Sequence, residues 1–346
     1  SPLAEGLGLH RARPELRRFL ADPSPDVRER AALAVGRLQD SSTVGALLPL
    51  LSDPEARVRQ EAVFALGQIG HRSARAALEA RVDDRDPETA RLAVEALGKL
   101  GDRAATARVT PWLSEPDPQR RAEAAVALWR LADSTALGAL LAHHDDPAPS
   151  VRWRVLYARE KIVAPDRVLL IAASHLSDAD PWVRAYAAHT LGRQKSPRAN
   201  AYLLQAFDDA EVAVAVNAIR AVQLVGDSTC RACAFTVAGK LGHPHPYVRV
   251  TAATALAERA LLAGADSAAR RTVLDSLLAH LVDPDAATRG NAARALLHHL
   301  GAEALDAVGP VLNDPSVYAR TIALSGLARL PVEAAAPRLI AGLAPA

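Results

Sequence analysis

The residues that could do chemistry in this 346-residue chain are few. Cys230 and Cys233 are its only cysteines and make one C-x-x-C, a spacing that serves a redox dithiol or half of a zinc site. Zinc would need two more ligands, for which His243 and His245 are the nearby imidazoles, and a thioredoxin-like dithiol wants a β-α-β setting. Three apart at the start of a helix, the pair reads first as two small packing residues or an incidental disulfide. A structural disulfide, metal binding and redox chemistry are the open alternatives. His143, His144, His298 and His299 fall near helix ends, and His189 lies on a helix face. No Gly-rich phosphate loop, nucleophile elbow or H-E-x-x-H occurs. Carboxylates cluster at helix starts, where capping accounts for them. The expectation is a protein that is not an enzyme and uses no cofactor or metal.

A second constellation suits binding. Arg37, Gln68, Lys99, Arg130, Lys161 and Arg193 recur at steps of 31 or 32 residues and form a basic column. Beside it fall Trp153, Arg154, Tyr157, Trp182, Tyr186 and His189, with Phe64 and Trp129 close by. Aromatics interleaved with Arg are the residue types favoured at protein interaction hot spots. A packing role competes with this reading: cations near helix C-termini gain about 0.3–1 kcal/mol from the helix dipole, and rings can fill space between helices.

What positions these residues is a repeat. The stretch from Asp53 to Gly70 returns in degraded form about ten times. Taking Arg59 as reference, the equivalents are Arg28, Arg59, Ala90, Arg121, Arg152, Arg184, Ala215, Arg249, Arg289 and Arg320, with steps of 31, 31, 31, 31, 32, 31, 34, 40 and 31. A fixed period in this range marks a solenoid, in which each repeat buries its apolar face only against its neighbours. Asp-Pro pairs such as Asp53-Pro54 and Asp180-Pro181 predict helix starts, with Asp capping and Pro at the first helical position. Val58, Ala62, Leu66 and Ile69 gather into one stripe at 100° per residue, the buried face of a second helix. Gly36, Gly67, Gly98 and Gly192 recur near its end, serving either close packing or an exit from the helix. A short apolar segment with a central Pro, as in Ala46 to Leu51 around Pro49, predicts a bent first helix.

Two antiparallel helices in about 31 residues, with Pro in the first and Asp-Pro-x-x-Val-Arg opening the second, resemble the HEAT repeat, specifically the short bacterial, phycobilisome-lyase-like type. The resemblance spans nearly the whole chain and implies an all-α, right-handed α-solenoid of about ten helix pairs. It also implies a ladder of Asp and Arg tying repeat to repeat, with Asp53 and Arg59, Asp180 and Arg184, Asp283 and Arg289, and Asp314 and Arg320 as its rungs. The third and seventh repeats carry Ala90 and Ala215 in place of Arg, so the ladder should be weakest at the seventh, which also lacks Pro. The His-Glu pairs of di-iron hydroxylases built from similar repeats do not occur.

The expected organisation is a single array over 1–346: regular repeats to 225, an irregular connection at 226–271 with a bend or protruding loop, and repeats from 272 onward. A chain opening Ser1-Pro2-Leu3 reads as trimmed or cut from a longer product. Ala334 to Leu343 reads as the start of another first helix, so a further repeat or domain is expected beyond Ala346. Charge is balanced at 41 basic and 39 acidic residues, which disfavours nucleic acid. No apolar run approaches the ~20 residues that span a membrane, and no secretory signal is present in this numbering, leaving the compartment open. The functional expectation is a non-catalytic scaffold binding a peptide or acidic protein surface on its concave face, through Lys99, Arg130, Trp153, Arg154, Tyr157, Lys161, Trp182, Tyr186, His189 and Arg193. The alternative is a structural arm of a larger enzyme or envelope complex, for example one carrying a cyclophilin-type prolyl isomerase domain. An enzyme resembling a bilin lyase or DNA glycosylase ranks last.

Overall fold

The computed structural model describes residues 14–158, 165–263 and 265–336. Among the described residues there are helices, turns and bends but no strand. They fall into two compact blocks, divided after residue 164. The longer helices, one per repeat, are α1 (Pro25–Leu38), α2 (Ala56–Ile69), α3 (Pro87–Leu100), α4 (Pro118–Leu131) and α5 (Pro149–Ala158) in the N-terminal block. The C-terminal block holds α6 (Pro181–Arg193), α7 (Val212–Val225), α8 (Pro246–Leu256), α9 (Ala286–Leu300) and α10 (Val317–Leu327). Within each block every one of these helices packs on the next, as an all-α solenoid requires.

The packing follows from the apolar stripe. In α2, Val58, Ala62 and Leu66 are fully buried, and their counterparts Ala93 and Leu97 in α3 are too. The helices approach closely because the facing residues are small. A Cβ added at Gly36 would lie 2.7 Å from Ala65, one at Gly98 2.8 Å from the Ala127 Cα, and one at Gly192 2.6 Å from the Ala221 Cα. These glycines therefore serve packing. The exit from the helix falls to others: Gly70, Gly101 and Gly226, at φ of 67°, 65° and 61°, end α2, α3 and α7 in the left-handed conformation that glycine adopts without strain.

The first helices are short and tighten part-way. Val44–Leu47 is α-helical and Leu48–Ser52 continues as 3-10 helix; Thr106–Val109 and Thr110–Ser114 repeat the change. Pro49 and Pro111 sit at the switch, where the missing N–H breaks the α pattern. The Asp-Pro pairs start helices in two ways. Asp86 and Asp180 are N-caps with Pro next, as expected. Asp53, Asp283 and Asp314 lie two residues before the cap, and each carboxylate accepts the N–H two residues on, from Glu55, Asp285 and Ser316 at 2.8–3.0 Å. That turn frees the second carboxylate oxygen to face the preceding repeat.

In the irregular stretch the extra residues are largely helical. Arg231–Gly239 is a first helix, Arg259–Ala263 an added short helix, and Ser267–Ala279 a 13-residue first helix. Ala265 and Asp266 are non-helical, and Gly264, part of the stretch where a bend or protruding loop was expected, lies outside the described residues. Cys230 and Cys233 are joined in a disulfide across the start of Arg231–Gly239, which the first reading of the spacing allowed beside plain packing. Cys233 is fully buried, so both the packing and the disulfide reading describe it. Of the further first helix expected at 334–343, residues 337–343 lie outside the described residues.

Candidate functional site

The reference arginines build a ladder whose pairing differs from the expected one. Six of them reach the Asp of the following repeat, 25 residues on, or 34 for Arg249. Nε and Nη2 of each donate to both carboxylate oxygens in Arg28–Asp53, Arg59–Asp84, Arg121–Asp146, Arg184–Asp209, Arg249–Asp283 and Arg289–Asp314 at 2.7–3.2 Å. Within its own repeat the guanidinium bonds the backbone instead. Arg59 Nη1 donates to the Asp53 carbonyl at 2.8 Å, and Arg289 and Arg320 do the same to the Asp283 and Asp314 carbonyls at 2.7 and 2.6 Å. Asp53 with Arg59, Asp283 with Arg289, and Asp314 with Arg320 are thus not carboxylate rungs. Asp180 is not one either: it caps α6, accepting the N–H groups of Trp182 and Val183, while Arg184 donates to the Asp178 carbonyl. The reason is reach. A side chain six residues after the Asp arrives over its backbone, while the fork points across to the neighbouring repeat. Ala90 and Ala215 leave gaps after the third and seventh repeats, though Asp209 of the seventh still receives Arg184.

The ladder predicts an acid limit. The Arg289 fork holds the Asp314 carboxyl below the usual carboxylate range against the opposing effect of burial, helped by the Ser316 N–H. For Asp53, Asp146 and Asp209 burial pushes up most strongly, but the arginine and the backbone N–H together outweigh it. Groups with depressed native pKa values add stability that is present above the unfolded value near ~4 and is lost as pH falls through the native value. Burial pushes Glu61 and Glu123 the other way, so protonating them at mildly acidic pH relieves strain. The urea midpoint is expected to hold down to about pH 4 and to drop steeply below it. A midpoint that falls already between about pH 7 and 5 would locate the sensitive groups elsewhere.

On the N-terminal block, the expected binding residues are brought together mostly in pairs. Lys99 is bonded to Glu95 at 2.7 Å, with its ammonium 5.3 Å from the Phe64 ring centre. The Tyr157 ring packs against Trp129 of the preceding repeat, centroids 4.8 Å apart, and Arg154 lies 4.2 Å over Trp153. All four of these residues are half-buried. Arg130 is half-buried with a buried Nη1 that has no hydrogen-bond partner. Lys161 lies outside the described residues. Carboxylates that the basic column did not reveal intervene: Glu95 and Glu123 both face Arg91, at 3.3 and 3.5 Å.

On the C-terminal block, Tyr186 and His189 sit on one face of α6 with their rings edge to face at 6.5 Å, and Arg193 is exposed at the helix end. Trp182, at the start of α6, is 65% exposed. His189 and Arg193 line a cavity of about 560 Å³ with Asn217, Arg220 and Leu224 of α7 and Glu258 beyond α8. Sequence reasoning stopped at α6 and missed Arg220 and Glu258. The signal lay in the same offsets one and two repeats further on.

The sequence model of the family described as HEAT repeats matches residues 44–129, 138–223 and 233–328. The chain is a HEAT repeat protein. Among curated proteins none matches it. Solved structures similar to this HEAT array include an engineered protein from the Northeast Structural Genomics Consortium, at 17% identity and a TM-score of 0.52, covering 94% of this chain and 98% of that one. A mutant of Kap121p is similar at 14% identity and a TM-score of 0.54, covering 98% of this chain and 44% of Kap121p. The Escherichia coli protein YibA is similar at 18% and 0.51, covering 72% of this chain and 94% of that one. At these identities the likeness is one of fold. HEAT solenoids are commonly protein-interaction scaffolds and typically non-catalytic. Among the described residues no helix of this HEAT protein is long and apolar enough to cross a membrane.

Proposed function

We propose that the ten repeats form a single array acting as a non-catalytic scaffold, which takes a peptide or acidic protein surface along the free face of its second helices. The residues assigned to it are Lys99, Arg130, Trp153, Arg154, Tyr157, Lys161, Trp182, Tyr186, His189 and Arg193. The observation that carries this reading is Trp182: an indole left 65% exposed at the head of α6 contributes little to the core and has the shape of a binding anchor. Tyr157 and Trp153 contribute to binding through the part of each ring left accessible. The test is affinity capture from the source lysate by the full chain beside Trp182→Ala, with captured proteins quantified. A partner depleted about tenfold or more, with helical circular dichroism and melting unchanged, supports the scaffold. Capture unaffected by Trp182→Ala and by Trp153→Ala with Tyr157→Ala would remove this face as the binding site.

A further inference from the structure

The second-helix face of the C-terminal block has a charge pattern that the basic column did not announce. Of the fifteen positions two, five and nine residues after the reference in α6 to α10, four are arginines, Arg193, Arg220, Arg294 and Arg329, and only Glu258 is acidic. In the N-terminal block the same positions hold Glu61, Glu95 and Glu123, and Lys99 is committed to Glu95. The two blocks therefore differ in how their cations are neutralised.

Among the described residues Arg220, Arg294 and Arg329 make no ion pair. Arg220 donates to the Tyr247 hydroxyl at 2.6 Å and lies 5.4 Å over that ring, which fixes the guanidinium at the cavity mouth without discharging it. Arg294 is half-buried, bonds only Asn291 Oδ1 at 2.7 Å, and has a buried Nε with no hydrogen-bond partner. Desolvation and the like charge of Arg329 weaken its hold on its proton, with Glu258 opposing. A guanidinium taken half out of water and left short of acceptors is costly unless an anion arrives to complete it. Such an arrangement is what a site built for a carboxylate looks like before it is filled.

We propose that this face, from Arg193 and Arg220 to Arg294 and Arg329, is a groove for an acidic peptide segment, with one Asp or Glu side chain seated in the cavity that α6, α7 and Glu258 enclose. The proposal rests on the scaffold reading above and adds to it the block used and the charge of the partner. A peptide fits better than nucleic acid. The cations are single residues on successive helices, not a continuous basic surface along which a phosphate backbone would run. The apolar wall from Leu224 and the Tyr247 ring suits side chains between the carboxylates.

The probe is a fluorescein-labelled oligoglutamate peptide, titrated with the full chain at low salt and followed by anisotropy. Arg220→Glu with Arg329→Glu, both exposed and outside the core, is expected to weaken binding about tenfold or more, and Arg294→Gln to weaken it without removing it. Arg72→Glu with Arg103→Glu, exposed on the other block and outside the assigned binding residues, is expected to leave it within about twofold. Loss in that pair alone would overturn the inference and leave the scaffold standing, its acidic partner on the N-terminal block. Binding equal to that of the original chain in all variants would overturn both. Failure of the original chain to bind, or tighter binding of a single-stranded oligonucleotide of equal charge, would overturn the acidic-peptide assignment.

Discussion

Asp84→Ala is expected to destabilise the N-terminal block by about 3–5 kcal/mol, read as a shift of the urea midpoint with circular dichroism. Arg59 and Asp84 form the most enclosed rung, each side chain 4% exposed. Arg59 also donates to the carbonyls of Asp53 and Pro54, so it is held in place from three sides and cannot swing out to water when its carboxylate is removed. What is left is a buried positive charge whose desolvation is no longer offset. The comparison is Arg57 with Asp26, which bridges the second repeat to the first and is 45% and 69% exposed; Asp26→Ala there should cost less than about 1 kcal/mol. Replacing Arg59 and Asp84 together by Met and Leu should recover most of the loss, since an apolar pair leaves no orphaned charge. If Asp84→Ala costs no more than Asp26→Ala, the ladder is a surface ornament and the repeats are held by packing alone.

The repeat was legible because its constraints are local and recur. A 31-residue step, an apolar stripe at helical spacing and a proline near most of the helix starts each follow from the backbone, and a family resemblance rests on them directly. The ladder was legible as a set of residues but not as a set of pairs. Asp53 and Arg59 are neighbours in sequence, and which of them meets across repeats depends on where the fork of a six-residue offset arrives, a matter of three-dimensional reach. The same limit applies to the binding face. A column read at one offset shows cations and one Gln but no acid, whereas Glu95, which bonds Lys99, and Glu123, which faces Arg91, sit at other offsets. Arg220 was equally visible in the sequence. Its significance comes from the lack of an acidic partner and from the cavity it shares with Glu258, and neither can be read along a chain.

The glycines show a choice between two sequence readings being decided by distance. Gly192→Val is expected to lower stability by about 2–3 kcal/mol, the upper part of the range for overpacking a closed interface. The added Cβ would meet the Ala221 Cα and Cβ at 2.6 Å, and the first of these is backbone of α7, which cannot turn aside as a flexible side chain could. The helix α6 would have to move off α7, loosening the Arg184–Asp209 rung that bridges the same two repeats. Valine is only slightly better than glycine within a helix, by a few tenths of a kcal/mol, so propensity does not compensate. Gly45→Val is the control, because nothing lies within 4 Å of a Cβ there. The two variants should separate by at least about 2 kcal/mol in urea unfolding. Should they melt alike, α6 and α7 can part without loss, and the recurrence of glycine at this point of the repeat would need a cause other than close approach.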